Sequence, residues 1–471
     1  MLFIARACHF AVALATISVL AVCCPCPMAQ AQSGTALSAA NAGPTGGLSV
    51  HGETAPIHDP ALVVADDGVW YVYATGRVNR ENGGAIQFWT SHDQGLSWAY
   101  GGTIWDEIPA WIDAHFSDGT LPDNLWAPEI YLHDGTYYLY YSASRFGTNT
   151  SLTALATNTT LDPSDPEYAW VDQGLVLSSP NPIENGKTFN AIDAGIIEDE
   201  SGTPYMAIGS YWYGIFLVEL QWPSGKLAPS ALDNAVHLLD RFMVGNPVEG
   251  SHIAYRNGYY YLFASFDYCC RGLESSYKIA VGRSETITGP YIDQLGQSLV
   301  GGGGTILLAD HGAIVGPGGQ SLFGDVLAFH YYDAANEALP GYPTLGLQRL
   351  DWTADGWPVA DSTVELPSIV DQPQDVTVRR GRDARQVTVS ATVAGTPAPI
   401  VAWDVSYDGG LSWTRRDTVE RAYDGQATLT LKNLRPRRQP LKVRTLAANP
   451  HGSVLSEPAT ITVQTRKRPW R

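Results

Sequence analysis

The chain repeats one pattern of apolar and polar positions: a short apolar strand, a turn containing Asp, Asn or Gly, and a second strand rich in aromatic residues. The first copy runs from Asp59 through Asp67-Gly68 to Tyr73. Apolar runs of this length, bounded by such turn residues, are typical of antiparallel strand pairs. The pattern therefore predicts an all-β chain without long helices.

Copies of this pattern recur at similar intervals. Their spacing is roughly 55 to 70 residues, and the first four start at Asp59, Ala127, Asp193 and Glu249. A fifth, looser copy begins near 315–317 and has its outer strand at 345–352. This interval is typical of propeller blades, whereas a sandwich has no reason to repeat in this way. We therefore predict a five-bladed β-propeller of four-stranded blades over residues 51–366.

Beyond Pro367 the pattern changes to Pro-rich turns, and the region includes a Trp at position 403. Residues 371–466 resemble an immunoglobulin-like β-sandwich without the paired cysteines, and they are rich in Arg and Lys. The sequence does not decide whether this accessory domain binds a polymer, acts as a spacer or contacts a cell surface. Two Asp-box-like turns, Ser91 to Trp98 and Ser406 to Trp413, predict hairpins that are each fastened by an Asp and a Trp.

The first 31 residues have the features of a secretory signal, with a charged Arg6, an apolar core and a small-residue cleavage site. Residues 32–50 lack periodicity and predict a flexible leader. We therefore expect a secreted protein, extracellular or periplasmic. Removing the signal leaves two neighbouring cysteines, Cys269 and Cys270, which can form a ring with each other in an oxidising compartment.

Charge narrows the possible partners. The chain of 471 residues has 29 Lys+Arg against 47 Asp+Glu, a net charge of -18. Nucleic acid and anionic membranes require basic surfaces, so the balance argues against both. It agrees with a soluble exported enzyme that acts on a neutral substrate. The sequence leaves the oligomeric state open.

Three of the repeated units carry an acid at the same point, just before the inner strand: Asp59, Asp193 and Glu249. A single such Asp is more often a turn or strand cap. Inner strands line the channel of a propeller, however, so three acids in phase should meet at its mouth. A confined cluster of like charges is costly without a function. Paired acids suit hydrolysis of a glycosidic bond, with one ionised and one protonated.

Aromatic residues near the predicted channel could provide stacking faces for sugars. Trp126, Tyr211 and Trp212 lie beside repeat starts or at loop positions where that could occur. For each one alone, packing in the core is about as common, because large aromatic side chains are normally well buried.

Several motifs in residues 57–360 resemble glycoside hydrolase family 43, and within it the endo-α-1,5-L-arabinanases. The matching segments, in order along the chain, are Ile57-His58-Asp59-Pro60, Asn124 to Glu129, Phe189 to Asp193, Val248 to Ile253, Ser265 to Tyr277, Ile287 to Tyr291, His311-Gly312 and Val315 to Gln320.

The resemblance implies roles for particular residues. Asp59 would be the general base, Glu249 the general acid, and Asp193 the residue that tunes and positions the acid of an inverting, five-bladed hydrolase. It implies arabinan, a pectic side-chain polysaccharide, as substrate, and no organic cofactor. It also implies a calcium ion in the channel, with His311 as candidate ligand, although some relatives have His where this chain has Gly319. The candidate substrate-binding residues are His58, Trp126, Asn190, Tyr211, Trp212, Ser251 and His252.

Other functions remain open at this stage. An exo-acting α-L-arabinofuranosidase or a β-xylosidase could use the same scaffold. A sialidase would need several arginines around a carboxylate, and Arg is sparse at the repeat starts. A non-catalytic glycan-binding propeller would explain the tail and the aromatic residues, but it would not need three acids in phase.

Overall fold

The computed structural model of the chain describes residues 48, 50–116, 121–182, 188–360, 365–381, 383–396, 399–416, 425–449 and 452–464. The predicted signal at 1–31 and nearly all of the leader lie outside the described residues. Strands dominate, which confirms the all-β prediction. The one α-helix in the described part of the chain is α1 (Ala110–His115), and 3-10 turns occur at Val78–Arg80, Gly272–Glu274, Leu299–Gly301 and Asp383–Arg385.

Within these described segments, no helix has the length and apolar character that a membrane crossing would need.

Five sheets follow one another along residues 51–349. The first contains β1 (His51–Gly52), β2 (Ala61–Val64), β3 (Trp70–Ala74), β4 (Gln87–Ser91) and β5 (Ser97–Thr103). The second contains β6 (Trp126–His133), β7 (Thr136–Ala143), β8 (Ser151–Asn158) and β9 (Val171–Ser179), and is followed by the small pair β10 (Asn181–Pro182) and β11 (Thr188–Phe189). The third contains β12 (Gly195–Glu198), β13 (Pro204–Ile208), β14 (Ile215–Gln221), β15 (Lys226–Leu227) and β16 (Val236–Leu239).

The fourth sheet has four strands, like the second, and the fifth has three. The fourth contains β17 (Val248–Arg256), β18 (Tyr259–Phe266), β19 (Lys278–Ser284) and β20 (Thr305–Leu308). The fifth contains β21 (Ile314–Phe323), β22 (Val326–Asp333) and β23 (Pro343–Arg349). A short pair, β24 (Asp351–Trp352) with β25 (Pro358–Val359), follows. Pairing within each of the five sheets is antiparallel, except that β1 lies parallel to β5.

The innermost strands of the five sheets form a ring. Strand β2 contacts β6, β6 contacts β12, β12 contacts β17, β17 contacts β21, and β21 contacts β2. Each sheet extends outward from this ring, because its later strands pair in sequence from the inner one. The predicted starts of the first four repeats therefore all lie at the centre of the assembly.

The segment before β2 completes the fifth sheet. The amide of Leu48 donates to the carbonyl of Leu347 at 2.8 Å, and the amide of Leu345 donates to Thr54 at 2.9 Å. This segment therefore runs beside β23, where a fourth strand of the fifth sheet would lie. The prediction of five four-stranded blades needs correction: the first and third sheets have five strands and the fifth has three. The predicted outer strand at 345–352 ends at Arg349, because β24 pairs elsewhere.

The Asp-box-like turns have the predicted hairpin structure. In the first, Asp93 accepts hydrogen bonds from Ser91 and from Ser97, and the Trp98 indole donates to the Gly95 carbonyl at 2.9 Å. In the second, the Asp408 carboxylate accepts in the same way from Ser406 and Ser412. The two turns connect β4 to β5 and the corresponding strands of the C-terminal region, so the described geometry is that of a structural fastening.

Residues 365–464 form two further sheets around one hydrophobic core that includes the fully buried Trp403. One contains β26 (Glu365–Asp371), β28 (Gln386–Thr396) and β31 (Gln426–Lys432). The other contains β27 (Val376–Arg379), β29 (Ile400–Ser406), β30 (Thr414–Arg415), β32 (Leu441–Asn449), β33 (Gly452–Leu455) and β34 (Ala459–Gln464). Ile400 and Ala448 pack into the core of the third and fourth sheets, so the two parts of the chain are in contact.

Candidate active site

A pocket at the centre of the ring is lined by residues from all five sheets. The three predicted acids meet here: Asp59 and Asp193 line the pocket, and Tyr277, also in its wall, donates a hydrogen bond to Glu249. The predicted convergence is therefore seen in the structure. The lining also includes Pro60, Ala127, Pro128, Glu129, Ala194, Gly250, Ser251, Gly319, Gln320 and Ser321.

A residue with a left-handed backbone lies just before or within each inner strand. In the first three sheets the residues there are Asp59 (φ 53°), Ala127 (φ 42°) and Asp193 (φ 63°). In the last two they are Gly250 (φ 61°) and Gly319 (φ 58°). Non-glycine residues adopt this conformation at a cost of roughly 1–2 kcal/mol, and such strain concentrates at functional sites.

Asp59 is held as a carboxylate. Its Oδ2 accepts from His58 Nδ1 at 2.7 Å and from the Thr75 hydroxyl at 2.8 Å. Burial by itself would raise the pKa of Asp59, but the positive charge and hydrogen bond of His58, with His330 and Thr75, lower that pKa to about 2. Asp59 is therefore ionised at any ordinary pH, as a general base must be.

Two stacked imidazoles, His58 and His330, surround this carboxylate with their ring centroids 3.7 Å apart. The Asp59 amide donates to His330 Nδ1 at 3.2 Å, so the proton of a neutral His330 is on Nε2. Burial and the nearby charge of His58 lower the pKa of His330 well below its usual range. Burial also opposes the charge of His58, but Asp59 and Glu249 outweigh it and raise the pKa of His58. Only His58 is thus charged at mildly acidic pH.

The surroundings of Glu249 shift its pKa in the opposite direction from that of Asp59. It is buried at the start of β17, where its two oxygens accept from Ser210 at 2.6 Å and from the Tyr277 hydroxyl. Burial raises the pKa of Glu249, and the negative charge of Asp59 adds to this. The two hydrogen bonds favour the ionised form and limit the rise. The direction is the one that a general acid needs.

Asp193 and Glu249 titrate as a pair. Burial raises the pKa of Asp193 well above its usual range, and the charges of Glu249 and Asp59 raise it further, against one hydrogen bond from the Gly250 amide at 3.0 Å. Two carboxyls that interact in this way lose their protons in separate steps, which belong to the pair rather than to either residue. The first ionisation therefore makes the second more difficult.

Several candidate substrate-binding residues lie at or near the pocket. Ser251 lines it and donates to the Asp193 carbonyl at 3.2 Å. Tyr211 lies close enough to Glu249 for the negative charge, after burial, to raise the pKa of its phenol. Trp212 is 39% exposed, and both it and Tyr211 have left-handed backbones (φ 38° and 51°). The indole of the half-buried Trp126 donates to Asn124 at 2.8 Å.

Two other candidates contact the protein itself. The side-chain oxygen of the buried Asn190 accepts from Ser151 at 2.6 Å. His252 is also buried; its Nε2 accepts from the amide of Leu322 at 3.3 Å, and its Nδ1 lies 3.4 Å from Glu129. His252 thus connects the fourth, fifth and second sheets. In this structure both side chains bond to protein groups around the pocket and so support its wall.

Cys269 and Cys270 form a disulfide between neighbours in the chain. The disulfide lies against His58, since Cys270 Sγ is 3.7 Å from His58 Nε2. The Cys270 amide also donates to the Tyr332 hydroxyl at 3.0 Å. The disulfide therefore lies beside His58, the residue whose Nδ1 donates to Asp59.

The residues fit a calcium ion only in part. His311 Nδ1 lies 2.7 Å from the Ala309 carbonyl, which leaves a buried Nε2 lone pair with no hydrogen-bond partner. This is a tautomer that can bind a cation. Among the described residues, however, the two groups of three close potential ligands do not include His311; they are His58 with the disulfide cysteines, and His58 with Asp59 and His330. Neither is the oxygen-rich set that calcium prefers.

The three acids are not tightly clustered. The carboxylate oxygens of Asp59, Asp193 and Glu249 do not all lie within 4.8 Å of one another. A cleft that must hold a sugar and a water between acid and base needs such room.

Some residues of the site do not lie at the repeat starts. Thr75, Ser210, Tyr277 and His330 contact the acids, yet they come from second strands and connecting loops rather than from the repeat starts. Glu129 is a fourth buried acid in the pocket, two residues beyond the repeat start at Ala127. Only Tyr277 and Glu129 fall in motifs that the sequence singles out.

A ring of antiparallel sheets with an ionised carboxylate facing a buried carboxyl of raised pKa defines a glycoside hydrolase site. The model of "Glycosyl hydrolases family 43" matches residues 54–358, and the chain belongs to that family.

Individual relatives agree with this assignment. The chain is 36% identical over 328 residues to an extracellular exo-α-(1→5)-L-arabinofuranosidase of Cellvibrio japonicus, covering 67% of this chain and 89% of that protein. It is 38% identical over 303 residues to an extracellular endo-α-(1→5)-L-arabinanase of Bacillus subtilis, covering 64% and 87%. Among solved structures, the family 43 endo-arabinanase of Bacillus licheniformis is similar with a TM-score of 0.58 and 36% identity, covering 66% of this chain and 99% of that one.

The hydrogen bond from Tyr277 to Glu249 makes a prediction about pH. Tyr277→Phe removes a donor that favours ionised Glu249, so the pKa of the acid should rise. The alkaline limb of kcat/KM should then move to higher pH by about one unit, since a hydrogen bond to a charged group contributes about 1.5–3 kcal/mol.

The measurement is a pH–rate profile of both proteins. The control is Tyr331→Phe, which removes a tyrosine hydroxyl that has no hydrogen bond to an acid among the described residues. A shift of the limb to lower pH, or no shift, would contradict the assignment of Glu249 as the acid.

Proposed function

We propose that the protein is a secreted, inverting glycoside hydrolase that cleaves α-1,5-L-arabinofuranosidic bonds within arabinan. The observation that carries the proposal is the opposite tuning of two carboxyls in one pocket: the pKa of Asp59 is lowered to about 2, while burial raises that of Glu249. The substrate follows from the printed activities of relatives such as the Bacillus subtilis endo-arabinanase.

In the proposed reaction Asp59 takes a proton from a water molecule as that water attacks the anomeric carbon. Glu249 gives its proton to the departing glycosidic oxygen, whose bond to the anomeric carbon breaks. His58 and Thr75 hold Asp59 in place through its Oδ2, which leaves Oδ1 to face the water. Asp193 positions the start of β17 through the Gly250 amide, and its charge keeps the last proton on the pair.

The fold assignments and location belong to the same proposal. We take the five sheets as the blades of a five-bladed propeller over residues 51–366, because their first strands form a closed ring. Residues 371–466 would be an immunoglobulin-like accessory domain. In support, Val389 and Thr445 are buried in different sheets of that region, roughly where paired cysteines would lie around Trp403. Secretion is supported by the extracellular relatives.

A calcium ion remains a proposal, with His311 as its protein ligand and carbonyl oxygens and waters as the others. Its role would be structural, holding the channel end of β21. Removing calcium with a chelator should lower the thermal midpoint of the wild type and leave His311→Ala unchanged. Elemental analysis that finds no bound calcium in protein purified with the ion present would refute it.

The roles of the acids can be separated with two substrates. Asp59→Ala should lower the hydrolysis of every substrate by about 10²- to 10⁴-fold, because no other group activates the water. Glu249→Ala should lose arabinan cleavage to a similar extent and largely retain an aryl arabinoside, whose phenolate leaves without protonation. Asp193→Asn should fold normally and move the alkaline limb to lower pH, because the charge that raises the second ionisation is gone.

The decisive quantity is the ratio of polymer activity to aryl-substrate activity in each variant. Equal loss on both substrates in Glu249→Ala, with retention of the aryl substrate in Asp59→Ala, would exchange the two roles. Full arabinan activity in all three variants would place the site elsewhere.

Endo action and inversion can be checked in one digest. Purified protein should release intermediate oligosaccharides from debranched linear arabinan early in the reaction, with a rapid fall in viscosity. The first anomer seen by proton NMR should be β, because a single displacement inverts the α linkage. Release of one short product from the start would favour the exo activity of the Cellvibrio relative, and a first α anomer would exclude inversion.

A further inference from the structure

The charge of the chain is divided unevenly. Residues 371–471 contain 17 Lys+Arg and 9 Asp+Glu, a net charge of +8, whereas residues 1–370 contain 12 and 38, a net charge of -26. A neutral arabinan chain gives no reason for a basic C-terminal region. An acidic partner does, because opposite charges attract over about 8–10 Å at physiological salt.

The basic side chains gather in one groove. A cavity of about 420 Å³ lies at one end of the C-terminal sheets, lined by Tyr407, Arg416, Lys432, Arg435 and Arg437 together with apolar residues and Asn433. No Asp or Glu lines it among the described residues. The volume is within the range of roughly 300–1,000 Å³ that small-molecule sites occupy.

The cations of the groove lack acidic partners in the described structure, in contrast to their neighbours. Arg415 and Arg444 both pair with Asp404, at 2.7 and 3.2 Å. The Arg416 guanidinium instead donates to the Tyr407 hydroxyl at 3.2 Å, and that of Arg437 lies 4.6 Å from the Tyr407 ring centroid. The aromatic ring thus holds two guanidinium groups beside the groove without neutralising either one.

The loop that carries Arg435 and Arg437 is fixed to the body of the domain. It leaves β31 at Lys432, and the amides of Asn433 and Leu434 both donate at 2.8 Å to carbonyls of the 3-10 turn Asp383–Arg385. A groove whose backbone is already ordered loses less entropy when it binds a ligand.

We propose that this groove binds an acidic polysaccharide of the uronic acid type, and so attaches the enzyme to the charged backbone from which neutral arabinan branches. Guanidinium groups form forked hydrogen bonds with carboxylates, and a uronic acid chain presents one carboxylate per sugar. The repulsion from the acidic catalytic part weighs more against a densely charged duplex than against such a chain. The choice of a pectic polymer rests on the proposed function.

The experiment measures binding of the full-length protein to polygalacturonate by affinity electrophoresis and calorimetry at low salt. Arg435→Gln/Arg437→Gln should weaken the Kd about tenfold or more, because two charge-assisted contacts are lost. The matched control is Arg379→Gln/Arg380→Gln, which removes two exposed charges from β27 and the residue after it and should change the Kd less than twofold. Hydrolysis of free linear arabinan should be the same in all three proteins.

Three outcomes would overturn the proposal: no binding of polygalacturonate by the wild type, an equal loss of binding in both double variants, or equally tight and equally sensitive binding of duplex DNA. On arabinan still attached to a polyuronate backbone, the groove variant should lose activity that it keeps on free arabinan. A wild type that binds polygalacturonate but does not hydrolyse arabinan would refute the proposed catalytic function and leave the groove assignment standing.

Discussion

The structure depends on how three carboxyls can be brought together at the centre of a protein. Like charges in a confined site repel and lose hydration, so each must be offset by its own donors. Asp59 has a charged imidazole and a hydroxyl, Asp193 has a backbone amide, and Glu249 has two hydroxyls. The compensation is strongest at Asp59 because His58 alone can bring a positive charge. This inequality separates a base from an acid in one pocket.

The backbone imposes the second condition. The inner strands surround the central pocket, and each has a residue with a left-handed backbone just before or within it. Gly319 shows how little room remains: a Cβ there would lie 2.5 Å from Asp59 Oδ1 and 2.7 Å from His330 Nδ1. A side chain at 319 would displace the base or the histidine behind it.

The sequence predicts the parts of this site that repeat. Asp59, Asp193 and Glu249 occupy equivalent positions in their repeats. This predicted both the ring of sheets and the convergence of the acids, since position in a repeated unit translates into position around an axis. It did not distinguish side chains that face the pocket from those that face the protein. Asn190 and His252 are both close in sequence to an acid, and both bond inward. A bulge in β17 between Glu249 and His252 alters the simple alternation of faces there, and Asn190 lies in the connection between β11 and β12. The three-stranded fifth sheet was also missed, since the segment that completes it comes from the opposite end of the domain.

The partners of the acids were beyond prediction for a related reason. Ser210 and His330 contact an acid of the neighbouring sheet, and Tyr277 reaches Glu249 from a loop of the same sheet. The repeat pattern does not indicate which residues outside the repeat starts make such contacts. His330 illustrates the consequence. Because the Asp59 amide occupies its Nδ1, and because a second charged ring stacked on His58 would be repelled, His330 stays neutral while His58 takes the proton. One positive charge, rather than two or none, therefore faces the base: two would bind the carboxylate more tightly still and weaken it further as a proton acceptor, and none would let burial raise its pKa toward that of the acid.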